Sequence, residues 1–287
     1  MTATRTPPDA DRPTASASAP ADRWHLDPAG TASRGSRVLG LVTLVGMAAF
    51  LLVALVASPP DSGKDASINQ MGEAVRIMYV HVPVAIVCFL AFFVTAASGA
   101  MYLWRKTEGW DLLAASSAEV GVVFTALTLA TGSIWGRFAW GAWWVWDARL
   151  TSTALLLVLF LGYLALRRAI TDPVSRAKRA AIAGLIGFVD VPIVHYSVDW
   201  WRSLHQKATI TRFNPTIDGL KLFALMFGMV VFLLLYAWLM VHRFRLQYVQ
   251  ARAEERGLDA AIAERRAEGA PAAPAAPLSL GGSGVSS

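Results

Sequence analysis

Polar and apolar positions along this 287-residue chain separate into long blocks instead of alternating at short range. The first block, "GLVTLVGMAAFLLVALVA" at 40–57, has a length that crosses a bilayer, roughly 17–25 residues. Similar blocks at about 79–103, 117–134, 149–167, 180–196 and 219–241 predict five further spans. The expected fold is an all-α integral membrane protein with six transmembrane helices. "ALVAS" after the first block resembles a signal-peptidase site, but the polar leader before that block is too long for a signal peptide, so the block reads as a helix. Residues 1–37, rich in Ala, Pro, Ser, Thr and Asp, predict a disordered cytoplasmic N-terminal tail. Residues 38–242 form the expected membrane domain. Residues 243–287 predict a cytoplasmic C-terminal helix that frays into the tail "APAAPAAPLSLGGSGVSS".

Six spans put both termini on one side, and basic residues say which. The tails and the loops on their side carry eighteen Lys and Arg, against eight on the other side. Basic loops stay in the cytoplasm, so both termini are expected there, in a cell (inner) membrane. Composition agrees: 55% of residues are hydrophobic and 16% charged, where a soluble domain carries about a quarter charged. The net charge of +6 is then explained by cytoplasmic loops, and no nucleic-acid partner is expected. One cysteine, Cys88, excludes an intramolecular disulfide and any CxxC motif.

The loop between spans three and four is expected outside, and it reads "WGRFAWGAWWVWDARLT" (135–151). Five of the eleven tryptophans, Trp135, Trp140, Trp143, Trp144 and Trp146, fall within twelve residues beside Arg137, Asp147 and Arg149. If this stretch is helical, Trp140, Trp143, Trp144 and Asp147 share one face, and together they would shape an exposed docking surface. Gly136 and Gly141 would let backbone or ligand approach closely. His81, in "MYVHVPVA", starts span two on the same side, and His195, in "VPIVHYSVDWW", ends span five there. Pro83 and Pro192 would stiffen or bend the backbone near each histidine. Two histidines from separate helices can ligate one haem iron from both faces. Tryptophans offer the broad apolar surface that haem needs, and arginines pair its carboxylates. His205, in the following outer loop, is the reserve ligand. His25 and His242 are not expected to take part.

Each feature also has a plainer account. Histidines and tryptophans at helix ends ordinarily mark the membrane interface, and Asp147 with Arg149 could form a salt bridge that starts span four. An aromatic belt, however, spreads over all helix ends, whereas these five tryptophans crowd one loop. Asp190, within span five, is a functional candidate by its position, or it reaches water.

The tryptophan-rich stretch resembles the signature of the haem-handling membrane proteins of cytochrome c biogenesis. "MYVHVPVA" and "VPIVHYSVDWWRSLHQ" resemble that family's two histidine-bearing segments. The likeness covers about residues 70–210 and is closest to the small six-span haem exporter protein C type. It implies a transport and chaperone protein, not an enzyme, that binds b-type haem transiently on the outer face with His81 and His195 as axial ligands. It also implies presentation of the haem by the tryptophan segment to a periplasmic haem chaperone. A small single-span subunit and the membrane and ATPase subunits of an ABC transporter are the implied partners. ATP hydrolysis would belong to those partners, since this chain lacks a G-x-x-x-x-G-K-[ST] loop. Two other functions compete with a haem relay. A cytochrome b-like oxidoreductase subunit would hold haem deep between its helices, and a solute permease with an aromatic lid would bind none.

Overall fold

The computed structural model of the chain describes residues 33–60, 72–205 and 219–268. The helices are α1 (Arg34–Leu52, closing in a π turn, Val53–Ala57), α2 (Arg76–Arg105, preceded by a 3-10 turn, Glu73–Val75) and α3 (Glu108–Trp140). They continue with α4 (Ala148–Ala169), α5 (Pro173–Phe188), α6 (Asp190–Trp200) and α7 (Gly219–Glu268). Among the described residues, six stretches are long and apolar enough to cross a membrane, with α5 and α6 forming one of them. The six-span, all-helical reading therefore holds. The N-tail before residue 33, with His25, and the C-tail after 268 lie outside the described residues.

The sequence writes four of the helix ends. The Ser33 hydroxyl accepts the Ser36 N–H at 3.3 Å to start α1, one turn earlier than residue 38. Asp172 accepts the Ser175 N–H at 2.8 Å, with Pro173 just inside α5, where a missing N–H costs nothing. The fourth helix starts on Asp147, whose carboxylate accepts the Arg149 N–H at 2.8 Å. The third ends at Gly141, which adopts φ 77°, a left-handed conformation that glycine takes without strain.

The second and third helices form the central hairpin, which needs little side-chain volume at its seam. A Cβ on Gly121 would sit 2.7 Å from the Phe92 ring. Phe92 in turn stacks on Phe160 of α4, with ring centroids 3.7 Å apart. Most hydroxyls at this seam are tied. Thr125, Thr128 and Thr131 each return their hydroxyl to the carbonyl four residues back. Ser117 donates to the Ala91 carbonyl at 2.6 Å and lies 2.8 Å from the Tyr236 hydroxyl. In lipid an untied polar group costs several kcal/mol, so this accounting is a condition of folding.

Away from the tryptophan end, ion pairs fasten the bundle. Arg167 of α4 makes a two-pronged pair with Asp111 of α3, at 2.5 and 2.8 Å. Glu119 of α3 receives Arg243 and Gln247 of α7, and Glu108 receives Arg252 at 2.9 Å.

Three details differ from the sequence reading. The tryptophan stretch is not helical throughout: α3 runs to Trp140, then residues 141–147 are irregular, so Trp140, Trp143, Trp144 and Asp147 do not share a helix face. The fifth span is broken at Val189, whose N–H turns back to the Ile186 carbonyl at 3.1 Å. Pro192 explains the break, because it has no N–H for the Phe188 carbonyl and its ring crowds that oxygen. The basic segment after residue 242 continues α7 without interruption. That helix is 50 residues long, about 75 Å at 1.5 Å per residue, against roughly 30 Å of hydrocarbon, so it projects well beyond one surface.

Candidate functional site at the tryptophan end

The C-terminal turns of α3, the start of α4, the second turn of α2 and the segment after α6 meet at one end of the bundle. Asp147 is at their centre. It is 7% exposed, so it is a buried hub and not part of an exposed docking surface. One oxygen accepts the Arg149 N–H at 2.8 Å and faces His205 Nδ1 at 3.1 Å. The other accepts the Leu204 N–H at 2.9 Å, and the Ser203 hydroxyl adds a further bond. A single carboxylate thus fastens the 201–205 segment to the start of α4.

Each histidine has a different setting. His81 Nδ1 lies 2.9 Å from the Thr131 hydroxyl, and its ring meets the edge of Trp135 at 5.6 Å. Thr131 already donates its proton to Leu127, so it accepts from the imidazole. A Cβ on Gly132 would come within 3.0 Å of the His81 ring, so glycine makes room for it. His205 packs on Trp140 with centroids 4.8 Å apart. Arg149 and His205 lie close enough to His81 for their charges to reach it. His195 faces elsewhere. Its ring is exposed, touches the Tyr196 ring at 4.9 Å, and lines an apolar depression with Phe89, Phe188, Val191 and Pro192.

The cations divide in the same way. Arg149 Nη2 donates to the His195 carbonyl at 2.9 Å, while its Nε is buried without a hydrogen-bond partner. Arg137 is exposed and donates to the Gly141 carbonyl, closing the end of α3. Arg149 does not form the expected side-chain bridge with Asp147; its backbone N–H is what Asp147 holds.

Of the tryptophans, Trp135 and Trp140 are half-buried against histidines, and Trp143 and Trp144 are exposed. Trp146 is 84% exposed and meets Trp144 edge to face at 5.7 Å. Ser133 donates to the Trp143 carbonyl at 2.6 Å and draws the loop back over α3. At the end of α6, Trp200 and Trp201 extend the exposed aromatic surface. Asp190 does not reach bulk water: it is 5% exposed, with Oδ2 lacking a hydrogen-bond partner. His242 is remote, with Nε2 3.2 Å from the Ser36 hydroxyl at the opposite end.

The roles of Thr131, Ser203 and Leu204 were not legible in the sequence. Two of them act through a hydroxyl, and Leu204 acts through a backbone N–H that nearly any residue could supply. Only the pairing of an unusually placed carboxylate with a loop histidine could have hinted at the Asp147–His205 contact.

The sequence profile of the family described as heme exporter protein C matches residues 28–259, well beyond the 70–210 of the motif likeness. A heme exporter protein C of Haemophilus influenzae is 38% identical over 220 residues, covering 76% of this chain and 87% of that protein. A heme exporter protein C of Escherichia coli K12 is 43% identical over 176 residues, 61% of this chain and 71% of that protein. A ccmC-like mitochondrial protein of Arabidopsis thaliana, assigned by its name to cytochrome c biosynthesis, is 37% identical over 177 residues, 62% of this chain and 67% of its own length.

Acid should loosen this hub. Burial lowers the proton affinity of His205, which Asp147 opposes and Arg149 reinforces, leaving it below the usual imidazole value. Burial works upward on Asp147, but the bonds from Ser203, Leu204 and Arg149, with His205, bring it below the usual carboxylate range. Both groups therefore hold fewer protons folded than unfolded, so stability falls as pH drops below about 6.5, and again below about 4. Amide protection factors at 203–205 are expected to decline through the first window. Asp147→Ala removes the acceptor for two backbone donors, each costing about 1–3 kcal/mol when orphaned, and should lower protection there even at neutral pH. Protection that is unchanged in that variant would remove Asp147 from the centre of the site.

Proposed function

The chain belongs to the heme exporter protein C family, and we propose that it binds haem on the extracytoplasmic face and presents it for cytochrome c maturation. The relatives' names supply the cargo and the process. The reading is carried by one observation: two imidazoles, His81 and His205, are each held through Nδ1 at the end of the bundle where the buried Nε of Arg149 has no hydrogen-bond partner. A histidine tied at Nδ1 offers Nε2 to a metal, and the tie fixes its tautomer and orientation. The sequence expectation pairs His81 with His195. The contacts favour the reserve, His205, because Asp147 holds its Nδ1 and it packs on Trp140, at the same end as His81 and Trp135.

The other residues fit the same cargo. Arg149 Nε is a buried donor without a partner, suited to a propionate carboxylate. Trp135 and Trp140 brace the two rings from the side, and Trp143, Trp144 and Trp146 offer apolar faces to solvent. Arg137 supports the loop by holding Gly141. An exposed platform suits a cargo that must be handed on, and the proposed recipient is a periplasmic haem chaperone. A small single-span subunit and ABC transporter subunits complete the proposed assembly. Both termini are placed in the cytoplasm by the excess of basic residues on their side.

Three measurements test this. Reporters fused after residues 110, 142 and 172 are expected to read inside, outside and inside; an inside signal at 142 would turn the tryptophan end toward the wrong compartment. Absorption spectra of haem-loaded His81→Ala and His205→Ala should each lose the two-histidine signature, with partial rescue of Gly variants by imidazole. Loss in His195→Ala with none in His205→Ala would restore the pairing expected from the sequence. Delivery is tested separately. Removing one indole from a multi-tryptophan surface takes away about 1–3 kcal/mol of contact, whereas handover depends on alignment, where about 1 Å can cost a hundredfold. Trp143→Ala should retain most haem yet leave the chaperone largely unloaded, as read by haem staining. Normal loading would reduce the tryptophans to an interfacial belt.

A further inference from the structure

We infer that Asp190 is a proton-binding site in the middle of the membrane: its carboxyl is held as the neutral acid, and the bound proton closes the break between α5 and α6. This goes beyond the haem reading and does not rest on it. Three aspartates are buried among the described residues, Asp111, Asp147 and Asp190. The first two are surrounded by donors. Asp111 receives both prongs of Arg167, while Asp147 receives the Arg149 and Leu204 N–H groups and faces the His205 ring. Asp190 is as deeply buried, yet its Oδ2 has no hydrogen-bond partner.

Its surroundings explain why no donor arrives. α6 packs on α4 and α5. In that layer α4 buries Leu156 and Phe160, and Gly187 of α5 lies against the Phe160 ring. On the α2 side, Phe89 and Phe93 stand beside Phe188. The polar groups on the buried face of α4 are engaged or further away: Thr153 donates to the Arg149 carbonyl, and Tyr163 lies a turn deeper, against Gly184. Arg149 sits at the other end of α6, on the His195 carbonyl, and the carboxylates that reach it are Asp147 and Asp199. The basic residues of α5, Arg176, Lys178 and Arg179, belong to its first two turns. Asp190 precedes Trp200 by about 15 Å of helix rise, so it stands near the centre of a hydrocarbon layer roughly 30 Å thick. A lone carboxylate there would be an uncompensated charge, and such a group takes up a proton instead. The break gives that proton a use. Pro192 withholds the N–H that the Phe188 carbonyl would accept, leaving the turn one donor short. A protonated carboxyl carries an O–H, which restores a donor to a turn that lipid cannot satisfy.

The test uses the full-length protein in lipid nanodiscs at neutral pH. Infrared spectra of the wild type should show the carbonyl stretch of a protonated carboxylic acid, and Asp190→Asn should lose it. Dicyclohexylcarbodiimide, an apolar reagent, supplies a second readout. The oxygen of a carboxylic acid bonds the carbodiimide carbon while its proton passes to nitrogen, and acyl migration leaves a stable N-acylurea with nothing released. Peptide mass spectrometry should find this adduct on Asp190 and not on Asp111 or Asp147. Asp190→Asn keeps an N–H donor and should retain amide protection across α6, whereas Asp190→Leu, without a donor, should lower it several-fold. A carboxylic acid band that persists in Asp190→Asn, or labelling of Asp190 only by a water-soluble carbodiimide, would overturn the proton site. Protection from labelling by sodium ions would overturn it in favour of a metal cation. Equal amide protection in the Asn and Leu variants would overturn the closing role of the proton.

Discussion

The tryptophan end depends on a carboxylate that cannot stand alone. Asp147 is almost fully buried, and an ionised carboxylate withdrawn from water is costly unless several donors surround it. Here the donors come from two places: the first turn of α4 and the 203–205 segment. Because all must converge for the charge to be tolerated, the segment after α6 is fixed relative to α4. That constraint sets the position of His205, packs it against Trp140, and so locates the end of α3 as well. The same carboxylate starts a helix, anchors a loop and orients a histidine.

The bilayer imposes the complementary condition on the rest of the molecule. Lipid offers no hydrogen bonds, so the serine and threonine hydroxyls at the α2–α3 seam are returned to carbonyls. Thr131 uses this economy twice. Its proton goes to Leu127, which frees its oxygen to accept from His81. The Asp111–Arg167 pair holds the far ends of α3 and α4, the two helices whose near ends carry the tryptophan loop. Breaking a buried pair costs about 3–5 kcal/mol, so the hairpin is clamped at one end by ions and at the other by Asp147.

Sequence pattern carried the six spans well, because apolar length is a property of single residues summed over a window. It carried the break at Val189 poorly, since Pro192 alone is compatible with a kink, a first turn or a continuous helix. The tryptophan loop was located correctly, but its local form was not. A helical wheel placed Asp147 on an exposed face, whereas Gly141 stops the helix and lets the carboxylate turn inward. His205 is the clearest case of information held elsewhere. Its setting depends on a contact with a residue 58 positions away, and no local periodicity records that. His81 was legible because it stands near the end of a recognisable span; its partner Thr131 was not.

The division among the histidines bears on what kind of haem protein this fold can be. A permanent electron-transfer site gains from burying the macrocycle between helices, where polar groups are excluded and exchange is slow. In this chain the two tied imidazoles belong to a helix end and a loop, and the aromatic surface beside them is open, with Trp146 the most exposed. Such a site forgoes burial energy that a resident cofactor would use. What it retains is access, and access has value only when the ligand must leave toward another protein.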